Sequence, residues 1–183
     1  LSERRTGLEN SPWRNIIESV KATAFQEHPY HWSVIGYEDD MKNCTQQDLE
    51  RYFKTYYAPN NCVVVVSGAM KFEKVKELAE KYLEPIPAQP APPKIHITEP
   101  AQTGERRITV QKDVANPYLV VGYHTPEAKH EDYYALTILS SILTSGQSSR
   151  LYASLVNEKQ LATMIFTDYS ASFDPTLFYF YAA

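Results

Sequence analysis

The chain has 183 residues, 43% of them hydrophobic and 22% charged, with a formal net charge of −4. That balance belongs to one folded domain or pieces of two, and it excludes a fibrous or disordered chain. Acids and bases are interspersed, so no basic stripe awaits nucleic acid, and no run of about 18 apolar residues is present to span a bilayer.

In chain order, "LSERRTG" reads as part of an amphipathic helix carrying Glu3, Arg4 and Arg5. It opens without methionine or lead-in strand, and the chain closes on the apolar "TLFYFYAA", so this reading expects a piece of a longer polypeptide. "ENSP" restarts or kinks the helix, with Ser11 as N-cap and Pro12 in the first turn. Trp13, Ile16, Ile17, Val20 and Ala24 then form the stripe of a helix with one buried face. "HPYHWSVIGYEDD" reads as a loop, interrupted by Pro29 and Gly36.

Thr45, with Asp48 three residues on, marks a capping-box start for "TQQDLERYFKTYYAPNN", a helix whose inner face would be Leu49, Tyr52, Phe53 and Tyr56. "CVVVVSG" predicts a strand: consecutive valines without alternation imply cover on both faces. "KFEKVKELAEKYL" returns to helix, buried through Phe72, Val75, Leu78, Ala79 and Tyr82. The following "EPIPAQPAPPKIHITEP" holds half of the chain's twelve prolines, which forbid helix or central strand and favour a stiff linker. The chain is therefore divided into 1–84, a linker at 85–101, and 102–183.

Beyond the linker, "RRITVQKD" and "NPYLVVGYHTP" predict two strands. "HEDYYALTILSSILTSG" predicts a helix with Ala135, Leu139, Ile142 and Leu143 inward and Gly146 as its stop. "SSRLYASLVNEKQ" is a further helix capped by Ser148 or Ser149, and "ATMIFTDYSA" with "TLFYFYAA" closes as a hairpin across "SFDP". The pattern is α+β: two partial subdomains, each a largely antiparallel sheet packed against helices, joined by the proline-rich segment. Cys44 and Cys62 lack CxxC spacing and can pair or stand as separate thiols, which leaves the compartment open.

Alone, Glu3 reads as a solvated helix residue. Its context is more specific. "SERR", an Asn–Ser–Pro break, "ATAFQEHPYHWSVIG", "DLERYFKTYYAPNNCVVVVSG" and "GQSSRLYASLVNEKQLA" follow one another in an order that resembles the pitrilysin/insulinase-type zinc peptidases, whose metal motif is H-x-x-E-H. In that family two histidines one turn apart hold zinc, a glutamate between them serves as general base, and a downstream glutamate, often followed by basic residues, is the third ligand. The resemblance assigns that third-ligand position to Glu3, before Arg4 and Arg5. Three ligands leave zinc's fourth position for a water whose pKa falls to about 7, a hydroxide able to attack an amide.

The sequence departs from the family in two ways. No H-x-x-E-H occurs, and no two of His28, His31, His96, His124 and His130 stand four apart. His28 and His31 flank Pro29 in a loop and are read as packing residues. The metal-free halves of the family carry an Arg and a Tyr that polarise the substrate carbonyl; the matching positions here are Val156 and Thr163. The resemblance therefore implies the zinc-bearing half of a metalloendopeptidase acting on peptides or unfolded polypeptides. The H-x-x-E-H helix and general base would lie upstream, and a second, metal-free half would supply the Arg/Tyr pair. This chain alone would bind Zn2+ weakly or not at all and be inactive. The alternative is a non-catalytic scaffold or peptide-binding member of the family. A cell-envelope location follows only by analogy with bacterial relatives.

Overall fold

Ser2–Arg4 are helical (α1) in the computed structural model, which describes residues 2–4, 6–7, 11–94 and 96–183. A new helix, α2 (Pro12–Ala24), starts where the proline and its cap require: the Ser11 side chain accepts from the Arg14 amide at 3.4 Å. The packing groups residues 1–36 with 97–183 as one unit and residues 37–96 as another.

The first unit is built on an antiparallel sheet of β1 (Leu119–Thr125), β2 (Ile165–Asp168) and β3 (Thr176–Ala182) in the order β1-β3-β2. β3 is central, with Gly122 opposite Tyr179 on one side and Asp168 opposite Tyr179 on the other. Side chains alternate along it. Leu177, Tyr179 and Tyr181 form the core with Phe25, and Trp13, Ile17, Val20 and Ala24 of α2 pack against them, the stripe read from the sequence. At Gly122 the packing is so close that a Cβ would lie 3.3 Å from Leu177 Cδ1 on β3 and 3.5 Å from Val20 Cγ1 on α2. Phe166 stacks on Tyr181 at 4.5 Å and Trp13 meets both edge-on. Burial, with Asp168 nearby, pushes the Tyr181 phenol up to about 12, and burial raises Tyr179 as well.

On the opposite face lies α6 (Tyr133–Thr144). Its phase differs from the expectation: Ala135, Leu139 and Ile142 are exposed, and the side facing β2 carries Ser140 and Thr144, whose hydroxyls meet Thr167 Oγ1 at 2.7 and 2.6 Å. A polar pair that satisfies itself can be covered at little cost, so apolar content alone misplaces the face. Gly146, at φ +84°, ends the helix as expected. The segment after it coils with wider, π-type turns at Tyr152–Glu158.

The second unit contains α3 (Glu38–Asn43), α4 (Gln46–Tyr56) and α5 (Phe72–Tyr82). Three acids at the start of α3 suit the helix N-terminus, which turns part of the expected loop into helix. The capping box of α4 is present, Thr45 Oγ1 accepting from the Asp48 amide at 3.3 Å and Asp48 Oδ2 from the Thr45 amide at 3.1 Å. The expected inner face of α4 is not covered, however, with Leu49 and Phe53 62% and 61% exposed, whereas on α5 Val75, Leu78 and Ala79 are half-buried as expected and Phe72 is 74% exposed. "CVVVVSG" and "RRITVQKD" form no strand and pair with no described strand, and Val63 and Val65 are 89% and 85% exposed. A strand exists by virtue of a partner for its N–H and C=O groups, and the described residues offer these two segments none.

Candidate functional site

α1 divides by exposure: Glu3 is exposed and Arg4 half-buried. Arg4 Nη1 donates to the Gly36 carbonyl. Gly36 closes a turn, its amide donating to the Ser33 carbonyl at 2.9 Å, and its φ of +77° lies in the left-handed region that favours glycine. Ser33 Oγ in turn donates to the Glu18 carboxylate on α2. Arg5 lies outside the described residues. No hydrogen bond or ion pair joins Glu3 to another of the described residues, and its side chain is exposed. No three His, Cys, Asp or Glu side chains among the described residues converge as a metal site requires. Glu3 thus fits one position of a zinc site by donor type and exposure, and the other positions would have to be filled from elsewhere.

Four of the five histidines, His28, His31, His124 and His130, have structural partners. His28 is 7% exposed; its Nδ1 accepts from the Tyr30 amide at 3.2 Å and its Nε2 stands 3.6 Å from Asp174 Oδ2. His31 Nδ1 is 2.7 Å from the Phe25 carbonyl, so that nitrogen carries the proton. His124 meets the Phe25 ring edge-on at 5.2 Å, and His130 Nδ1 accepts from the Asp132 amide at 3.2 Å.

Two residues that the sequence reading did not single out hold this region. Glu99 accepts from three consecutive amides, Gln26 at 2.7 Å, Glu27 at 2.9 Å and His28 at 3.0 Å. Burial would raise its pKa, but those amides, with His124 nearby, hold the carboxyl below its ordinary value. Arg106 Nη1 donates to the carbonyls of Thr23 and Ala24 at 3.1 and 2.7 Å, satisfying the end of α2 with a cation. Separations of 71 to 83 residues leave no periodic signal from which to find these bonds. Val156 lies in the π-type turns, and Thr163 Oγ1 donates to the Ala183 carbonyl at 3.1 Å. Within the second unit an open groove of about 640 Å³ is lined by Asp40, Cys44, Asp48, Tyr52, Tyr56 and Pro93; Asp48 is already engaged by Thr45 and Arg51.

Residues 43–183 match the family described as Peptidase M16 inactive domain. The zinc protease PqqE of Helicobacter pylori is 38% identical over 183 residues, covering 98% of this chain and 41% of that protein. A probable mitochondrial-processing peptidase subunit beta of Schizosaccharomyces pombe is 25% identical over 173 residues, covering 88% of this chain and 37% of its own. The crystal structure of a protease from Helicobacter pylori superposes with a TM-score of 0.89 at 38% identity, over 99% of this chain and 45% of that one. The α+β fold is therefore that of a segment of peptidase-type proteins, and the chain spans 41% and 37% of the lengths of these two relatives. The chain belongs to the pitrilysin-like M16 peptidase family.

Proposed function

We propose that this chain is part of a zinc-dependent endopeptidase that hydrolyses peptides or unfolded polypeptides, and that Glu3 supplies one ligand to the metal. The observation that carries the reading is the 38% identity to a protein named a zinc protease, which extends over 98% of the chain. The exposed Glu3 carboxylate supports it. When bound, zinc would supply a Lewis acid that activates water. What this chain contributes is one carboxylate on α1, beside a loop fixed by Glu99, Ser33 and Gly36. The histidine ligands and general base would come from the rest of the polypeptide, and an Arg/Tyr pair from a second half, covalent or separate. The division into 1–84 and 102–183 about a linker at 85–101, and a cell-envelope location, belong to the same proposal.

A second reading, a non-catalytic scaffold or peptide-binding member, is favoured by the description of the matched family as inactive. That match begins at residue 43, after Glu3. The two readings separate in the intact protein. If the peptidase reading holds, the wild type retains about one zinc per polypeptide by elemental analysis, and Glu3→Gln loses metal affinity at least about tenfold together with activity. A wild type without zinc supports the scaffold; a Glu3→Gln variant with unchanged zinc content removes Glu3 from the site.

A further inference from the structure

We infer that the turn Ser33–Gly36 is a buckle between α1 and α2, and that Arg4 is a positioning residue that aims the Glu3 carboxylate through its bond to the Gly36 carbonyl. The inference rests on the reading of Glu3 as a metal ligand. It begins from a difference within α1, where Glu3 is exposed and Arg4 half-buried. What holds the Arg4 side chain bears on where its neighbour is directed.

One set of contacts among the described residues is polar and runs in sequence. Arg4 donates to the Gly36 carbonyl, the Gly36 amide donates to the Ser33 carbonyl at 2.9 Å, and the Ser33 hydroxyl donates to Glu18 on α2. α2 is itself fixed to the sheet through Trp13, Ile17 and Val20, so this path ties α1 to the core of the first unit. Burial does not hold the tip of the turn, since Val34 is 101% exposed. Adjacent residues on a helix project about 100° apart. Anchoring Arg4 against the turn therefore turns Glu3 away from it, in agreement with a half-buried Arg4 beside an exposed Glu3. The "HPYHWSVIG" segment gains a role by this path: it is the surface against which the ligand helix is set.

The test uses the intact, zinc-loaded protein with Arg4→Met, Arg4→Lys, Gly36→Ala and Glu3→Gln. Zinc release into a chelator is followed, and kcat is separated from KM on a short peptide. Arg4→Met is expected to release zinc about tenfold faster or more and to lower kcat with little change in KM. Arg4→Lys should recover most of both, because an ammonium can still donate to the Gly36 carbonyl. A Cβ on Gly36 meets nothing within 4 Å, so Gly36→Ala perturbs only the left-handed backbone and should shift zinc release in the same direction by a smaller factor. It decides the matter if Arg4→Met does not fold. Wild-type release and kcat in Arg4→Met, or in Gly36→Ala should the former be unfolded, overturn the buckle while leaving Glu3 a ligand if Glu3→Gln loses zinc. Glu3→Gln that keeps its zinc overturns both.

Discussion

Glu99 shows how much one side chain can organise. Its two oxygens receive three successive amides at the point where α2 has ended and the chain turns toward His28. Hydrogen bonds to a charged acceptor are stronger than neutral ones, but this carboxylate is only half-buried and solvent screens part of the gain. Glu99→Gln keeps one carbonyl acceptor and loses the charge, so the expected cost is about 1–2 kcal/mol at neutral pH, read as a lower denaturant midpoint at unchanged slope. The pH dependence has a definite sign. The folded carboxyl is more acidic than the unfolded one, whose pKa is about 4.3, so its contribution is complete above that value and is lost as pH falls through the folded pKa. Denaturation curves of wild type and Glu99→Gln should therefore converge as the pH is lowered below the unfolded value; a gap that stays constant on acidification would mean that the charge is not what binds the three amides.

Between elements, Gly122 marks a close approach of β1 to both β3 and α2. A Cβ there would press within 3.3 Å of Leu177, a residue 1% exposed with no room to yield. Gly122→Val is expected to lower stability by about 1–3 kcal/mol through overpacking, measured as a fall in Tm with the tyrosine and tryptophan signals of this unit. A Tm equal to wild type would show that α2 can lift off the strand. The same packing explains what could be read in advance. α2 and the β2–β3 hairpin announce themselves because their apolar residues obey the period of the element and find a partner. α6 was legible as a helix but not in its facing, since Ser140 and Thr144 are made acceptable inside only by Thr167, which lies 23 or 27 residues away. The valine segment carries a strand's composition, yet pairing is a property of two segments, and the second is not among the described residues. The candidate site divides in the same way. Glu3 is proposed from its neighbours in the sequence, whereas the Arg4–Gly36 bond spans 32 residues and leaves no local trace.

Taken whole, the chain stores its cohesion unevenly. The first unit has a core in which Phe25, Leu177, Tyr179 and Tyr181 are all buried. In residues 37–96, Ala58 is the buried apolar residue among those described, while Tyr52, Phe53, Tyr57, Val63 and Val65 stand in solvent. α4 and α5 are each 11 residues long, below the roughly 12–15 at which an isolated helix persists in water, and their intrahelical pairs of the Lys74–Glu77 kind add only about 0.2–0.5 kcal/mol each. Local stability follows buried apolar contact, so the two units should open at different free energies. In this chain, amides of residues 46–56 and 72–82 are expected to exchange well before those of β3, and chymotrypsin at low ratio should cut first near Tyr52, Phe53, Tyr56 and Tyr57. Cleavage reports the equilibrium population of the opened state when opening is fast, so the order of cuts and the order of exchange should agree. Equal protection of β3 and α4, by either measurement, would require cover for the exposed tyrosines and phenylalanine that these residues do not themselves provide.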